Sequence, residues 1–295
     1  MIAPRADYSL TLVGRAPLVL GRRTLVMGVL NVTPDSFSDG GAALDPARAL
    51  DLALEMEAAG ADILDIGAES TRPGATPLSG REERTRLLPV IRQLHRLKIP
   101  LSIDTTKAEV ARFGLDEGAS IVNDISGLQY EPALGDIVAV RGAPLVLMHM
   151  RGRPSDMYAQ AAYDHVATDV TRDLTRAIER AVSRGVAWHQ LVVDPGLGFA
   201  KRAEHSLAAL AGLSALAALG RPVLVGPSRK SFLAAAAAGD GAARGRDWAT
   251  AAAVTAAVLA GAHIVRVHAV AEMVHVTRAA DMIREHGAAA PGSSR

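Results

Sequence analysis

The chain of 295 residues contains no cysteine. That excludes disulfides, thiolate metal sites, iron–sulfur clusters and a thiol nucleophile together. Excess charge is also missing: 32 basic against 31 acidic residues leave a formal net charge of +1. No overall field recruits nucleic acid or an anionic membrane, so any bound anion must meet local groups. No run of eighteen apolar residues occurs, and the opening MIAPRADYSL lacks the apolar stretch of a signal peptide. The expectation is a soluble, cytoplasmic protein without nucleic-acid or membrane partners. The glycine-rich stretches GLGF (196–199) and GDGAARG (239–245) follow neither the GxGxxG nor the P-loop spacing, which leaves nucleotide-fold readings without support. His149 has no second histidine at ligand spacing and reads as a packed strand residue. His95, His205, His263, His275 and His286 read as helix or surface residues, and REERTR (81–86) as a solvated helix face.

What is present is a repeat of short apolar runs within a chain that is 49% hydrophobic, ample for a large core. TLVMGVLNV (24–32), ADILDIG (61–67), PLSIDT (100–105), SIVNDIS (120–126), PLVLMH (144–149), LVVDPG (191–196), PVLVGPS (222–228) and HIVRVHA (263–269) read as eight strands. Each is too apolar for one wet face, which suits a parallel sheet covered by helices. Helix-like stretches separate them. The clearest carries Val166, Val170, Leu174, Ile178 and Val182 at a four-residue step, with Gly185 as its stop. Eight regular units favour an α/β fold built as a single closed (β/α)8 TIM barrel, a size usually near about 250 residues, over an open doubly wound sheet. YSLTLVGRAPLVLG ahead of the first unit reads as a hairpin capping the barrel's lower end. The expected organisation is therefore a hairpin over 1–23, a barrel over 24–287 and a disordered tail over 288–295.

In such a barrel the chemistry gathers where strands end at their C-termini. Asn31 shares a face with Met27 and Val29, Asp65 with Ile63, Asp104 with Ser102, Asn123 with Ile121, Asp194 with Val192, and Arg266 and His268 with Ile264. Six of the eight strands thus place a polar group near the same end, and a seventh runs into PSRKS. Burying so many polar groups without partners would cost several kcal/mol in total, about 1–3 kcal/mol each. A ligand-lined pocket accounts for the set. Ionised Asp104 and Asp194 accept, Asn123 does both, and Lys230 donates, a pattern that matches a flat heterocycle such as a purine or pterin. Arg266 and His268, joined by Arg72 in ESTRPGA, point to an anion in the same mouth.

The stretches MGVLNVTPDSFSDGG, DIGAESTRPGA, SIDTTKAEV, NDISG, LMHMRG, DPGLGFAK, GPSRKS and VRVH stand in order along nearly the whole barrel. This series resembles the dihydropteroate synthase family of pterin-binding enzymes. The resemblance implies a TIM barrel, a transferase joining p-aminobenzoate to a dihydropterin methyl diphosphate, and pyrophosphate as the second product. It also implies a Mg2+ cofactor, sulfonamide binding and a homodimer. Carried over residue by residue, it gives Asp104, Asn123 and Asp194 to the pterin's amino and ring nitrogens, Lys230 to its carbonyl side and Met148 to its ring face. Asn31, Arg266 and His268 go to the diphosphate, with Asn31 also beside the metal. Thr71, Arg72, Pro73, Phe37, Phe199 and Ser231 shape the p-aminobenzoate site, and Ser231 is expected to open a helix whose N–H groups suit a carboxylate. The catalytic set is Asn31, Arg72, Lys230, Arg266 and His268.

The family's usual GGES is GAES here, with Ala68; VRVHD is VRVHA, with Ala269; SKP is TKA, with Ala108; and HN after the sixth strand is His205-Ser206. None falls on a residue given direct contact, and Ala269 removes a candidate partner of His268. Two other readings stand beside the synthase. A methyltetrahydrofolate-dependent methyltransferase would need no diphosphate clamp, and a non-catalytic pterin-binding paralogue should have lost NVTPDSFSD or STRPG. Thr33 to Asp39 reads as a lid that carries Phe37 over the site.

Overall fold

A computed structural model of the chain describes residues 2–33, 45–71, 75–237 and 244–288. Strands β1 (Tyr8–Leu10) and β2 (Leu18–Leu20) pair antiparallel, with Tyr8 opposite Leu20 and Leu10 opposite Leu18. Then strands and helices alternate: β3 (Leu25–Asn31), α1 (Pro46–Ala58), β4 (Ile63–Gly67), α2 (Gly80–Ile91), β5 (Leu101–Asp104), α3 (Ala108–Asp116), β6 (Ile121–Asp124) and α4 (Ala133–Arg141). The second half continues with β7 (Leu145–Met148), α5 (Val166–Ser183), β8 (Leu191–Asp194), α6 (Ala203–Ala211), β9 (Leu224–Val225), α7 (Arg244–Leu259), β10 (Ile264–Val267) and α8 (Val270–Ala288). The eight strands β3 to β10 are parallel, in the order β8-β7-β6-β5-β4-β3-β10-β9. A bridge between Val193 and Val223 joins the two ends and closes a (β/α)8 barrel.

Alternation along the strands builds two separate cores. Outward side chains such as Leu30, Leu64, Ile66, Ile103, Val122, Leu145, Leu147, Val193 and Val225 are buried beneath the helices. Inward ones, Met27, Ile63, Ile121, Val146, Val192, Leu224 and Ile264, pack against one another inside the barrel. Leu10, Leu12 and Leu20 of the hairpin join this inner cluster and plug the N-terminal end. Full burial of each such side chain stabilises by about 1.5–3 kcal/mol. Gln190 ties the plug down: its Oε1 accepts from Thr11 N at 2.9 Å, while Nε2 donates to Thr11 O and Gly142 O, both at 2.8 Å.

Local chemistry sets the helix ends. At α2, Ser79 and Glu82 cap each other's backbone N–H groups, and α1 begins on Pro46 behind the capping side chain of Asp45. α4 stops at Gly142, whose left-handed φ of 62° a side chain would resist. α5 departs from the four-residue step. Val170, Leu174, Ala177, Ile178 and Ala181 are buried, but Val182 is 45% exposed. A strict step of four overshoots the 3.6-residue turn by about 40° each time, so the last position drifts off the buried face.

Two expectations are corrected. His263 is not a surface residue: it is buried, accepts from Val223 N at 3.1 Å on Nδ1, sits 3.0 Å from Ala6 O on Nε2 and stands edge-on to Tyr8. It joins the N-terminal segment to the barrel's closing strands. REERTR is not wholly solvated, because Glu83 is 0% exposed and receives a 2.7 Å hydrogen bond from Lys107 on the next βα unit. The partner lies 24 residues away, outside any local pattern.

Candidate active site

At the strands' C-terminal ends the barrel opens into a cavity of about 590 Å³. Asn31, Thr71, Asp104, Asn123, Met148, Asp194, Phe199, Lys230, Ser231, Arg266 and His268 all line it. Every site residue expected from the sequence and lying among the described residues is therefore in one mouth. Phe37, Arg72 and Pro73 lie outside the described residues, as does the expected lid beyond Thr33. Glu69, Ser70, Ser228 and Arg229 also face the cavity; they belong to the ESTRPGA and GPSRKS stretches without having been given roles.

The floor is a charged network. Arg266 donates from Nε to Asp65 Oδ2 at 2.6 Å and from Nη2 to Asp104 Oδ2 at 2.8 Å. Asn123 Nδ2 donates to the same Asp65 oxygen at 3.0 Å. Asp65 was visible by parity but carried no assigned role; the structure makes it the group that orients both Arg266 and Asn123. Burial pushes the Asp104 carboxyl up to about 7, with the Asp65 charge adding to the rise and Arg266 opposing it. Burial likewise pushes Asp194 up to about 6, against the hydrogen bond it accepts from Gly196 N at 2.7 Å. Lys230 is driven down to about 8 by burial and by Arg266. Charges held this reluctantly gain when a polar ligand completes them.

His268, expected beside Arg266 at an anion, brings no charge of its own. Burial first, then Arg266, Arg229 and Lys230, hold its ring down at about 4, so it is neutral at pH 7. Ser228 Oγ accepts from His268 N at 3.2 Å and lies 3.0 Å from Nδ1. With its O–H given to Nδ1, the imidazole proton sits on Nε2, where it can donate to an anion. This contact supplies the partner that Ala269 lacks.

Loops place the remaining groups. Asp124, at the end of β6, accepts from Ser126 N, Ser126 Oγ and Leu128 N, which turns the chain sharply through Gly127 and Leu128 at φ 57° and 63°. After β9, Arg229 at φ 56° is held by Thr250 Oγ1 on its N–H and by Asp247 on its guanidinium. Lys230 follows, with its Nζ 3.8 Å from the centre of the Phe199 ring. Ser231 opens the expected helix, which takes the form of a seven-residue 3-10 stretch, Ser231–Ala237. Its hydrogen bonds align less well than an α-helix's, so its dipole is a weaker carboxylate anchor than expected. Behind the mouth, buried His149 lies 2.7 Å from Lys201 Nζ and 3.2 Å from Asp173 Oδ2. No group of three or more metal-binding side chains occurs among the described residues, and among them no helix is long and apolar enough to cross a membrane.

The family model described as pterin binding enzyme matches residues 27–268. Dihydropteroate synthase of Synechocystis sp. is 44% identical over 272 residues, covering 92% of this chain and 94% of that protein. The dihydropteroate synthase of Yersinia pestis, solved with a sulfonamide drug, superposes with a TM-score of 0.86 at 42% identity, over 94% of this chain and 99% of that one. The Xanthomonas albilineans enzyme, solved in complex with 7,8-dihydropteroate, gives a TM-score of 0.81 at 36% identity, over 96% and 100%.

Proposed function

The chain belongs to the pterin-binding enzyme family as a transferase of the dihydropteroate synthase type, and from that premise we propose how its mouth divides the work. The single observation that carries the division is one cavity lined by Asp104, Asn123, Asp194, Lys230, Arg266 and His268. Ionised Asp194 and Asp104, with Asn123, take the amino group and ring nitrogens of the dihydropterin. Lys230 takes its carbonyl side, and Met148 covers its face. Arg266 already spends Nε and Nη2 on Asp65 and Asp104; its remaining nitrogen and the Nε2–H of His268 take the diphosphate. Thr71, Arg72, Pro73, Phe37, Phe199 and Ser231 form the p-aminobenzoate side.

Substitution occurs at the exocyclic methylene. The carbon–oxygen bond breaks first and its electron pair leaves with the diphosphate, whose charge Arg266 and His268 stabilise. The pterin ring delocalises the cation left behind. The amine nitrogen of p-aminobenzoate then forms the new bond and loses a proton to solvent. This arylamine is neutral at pH 7 and needs positioning more than deprotonation. The donor set fits a magnesium ion that arrives with the diphosphate: Asn31 offers an amide oxygen at the mouth, and such an ion is held by one or two side chains plus phosphates rather than by a protein cage. When bound, it would add charge neutralisation on the leaving group.

A homodimer belongs to the same proposal. Trp248 on α7 and Met282 and Ile283 on α8 support it, as large apolar side chains more than half exposed. Sulfonamide binding at the arylamine side and a cytoplasmic setting, in keeping with a chain free of cysteine, also belong to the proposal. The direct test is pyrophosphate release from dihydropterin methyl diphosphate, with and without p-aminobenzoate and magnesium. Release that the amine stimulates, with 7,8-dihydropteroate formed, supports the reading, and release that the amine leaves unchanged, or no release, contradicts it.

A further inference from the structure

Between β8 and α6 the chain passes through three residues of positive φ at alternate positions, Gly196 at 65°, Gly198 at 78° and Ala200 at 48°. A Cβ on Gly196 would lie 2.1 Å from His149 O, so glycine is required there. Ala200 is a non-glycine residue in the left-handed region, a conformation that persists only when the surroundings impose it. The surroundings here are specific. Lys201 is 2% exposed and turns back into the loop it ends, with Nζ donating to Gly196 O and Phe199 O, both at 3.1 Å, and to His149 Nδ1 at 2.7 Å. Its three protons are thus all used. Tyr163 donates its hydroxyl to Ala200 O at 2.8 Å, and Ser206 Oγ accepts from Gly198 N at 3.1 Å. Ser206 is the departure from the family's usual asparagine, and it still anchors this loop.

His149 can accept from Lys201 because its ring is neutral: burial and the Lys201 charge hold it down at about 4. Its Nε2–H then faces Asp173 Oδ2 at 3.2 Å, and Arg151 fixes that carboxylate with Nε at 3.0 Å and Nη2 at 2.8 Å. A relay therefore runs from Arg151, after β7, to the loop after β8. Lys201 does not line the cavity; Phe199 does, under the Lys230 ammonium. Burial holds the Lys201 amine down at about 7. A methionine of similar length would avoid that desolvation, so a role in packing alone does not account for a lysine.

We propose that Lys201, anchored on His149, is a positioning residue that locks the 196–200 loop so that Phe199 forms the wall of the arylamine site. This rests on the assignment of Phe199 to p-aminobenzoate made above. Asp194 stands on β8 and touches the loop only through Gly196 N at its β8 end, so the loss should fall on the arylamine side far more than on pterin binding. In Lys201→Met the KM for p-aminobenzoate is expected to rise about tenfold or more, with kcat within about threefold. Calorimetric affinity for 6-hydroxymethylpterin should stay within about threefold of wild type. Tyr163→Phe, which removes only the hydroxyl on Ala200 O, should raise the same KM about threefold; it decides the matter if Lys201→Met does not fold. An unshifted KM in the folded variants, or a fall in kcat alone, would overturn the role of Lys201. Absence of amine-dependent pyrophosphate release in the wild type would instead overturn the functional reading and this inference with it.

Discussion

The same strands carry two different chemistries two residues apart. At the base, β4, β6, β8 and β10 point Ile63, Ile121, Val192 and Ile264 into a dry cluster sealed by the hairpin leucines. One inward position further along, they present Asp65, Asn123, Asp194 and Arg266; the last three line the cavity, and Asp65 braces Asn123 and Arg266. Backbone geometry is shared, so the difference lies in the side chains alone. The base gains stability from burial, whereas the mouth holds charges whose pKa values burial has moved against ionisation. A site arranged this way trades stability for function.

That contrast can be broken by substitution. Ile63→Ala at the base should cost about 2–5 kcal/mol of unfolding free energy with both KM values within about twofold, as read by urea denaturation and steady-state kinetics. Lys230→Met at the mouth should do the reverse: turnover falls about 10²–10³-fold, and the melting temperature holds or rises because a reluctantly buried charge is gone. A smaller effect is expected at the plug. Gln190→Ala leaves Thr11 N, Thr11 O and Gly142 O without their partner, which should cost about 1–3 kcal/mol of stability and leave kcat unchanged.

The barrel was legible because each strand is apolar on both faces and each unit repeats, and period-2 parity alone found Asn31, Asp104, Asn123, Asp194, Arg266 and His268. Parity says which way a side chain points and nothing about its partner. Hence parity shows Asp65 without its role, Glu83 reads as solvated until Lys107 is placed beside it, and the neutrality of His268 follows only from its burial and the three positive groups around it. His263 was missed for the same reason, since its partners Ala6 and Val223 lie 257 and 40 residues away. The Lys201 lock was invisible because glycine-rich GLGF was compared only with nucleotide-binding spacings, while its glycines serve a turn wrapped round a lysine.

Asp194→Asn, titrated with 6-hydroxymethylpterin by calorimetry, tests the division between mouth and base most directly. Burial raises the Asp194 pKa to about 6 from an ordinary 3.8. Across that window the folded protein holds a proton that the unfolded chain has released, so the carboxylate costs stability above pH 6 and that cost is relieved as pH falls. The variant should therefore match or exceed the wild-type melting temperature at pH 8, yet bind the pterin more weakly by roughly 1.5–3 kcal/mol. Wild-type affinity should drop more than about tenfold from pH 8 to pH 5 as Asp104, at about 7, and Asp194, at about 6, take up protons, and the variant should keep only the Asp104 part of that drop. Unchanged pterin affinity in Asp194→Asn, or a loss of stability like that of Ile63→Ala, would contradict the account.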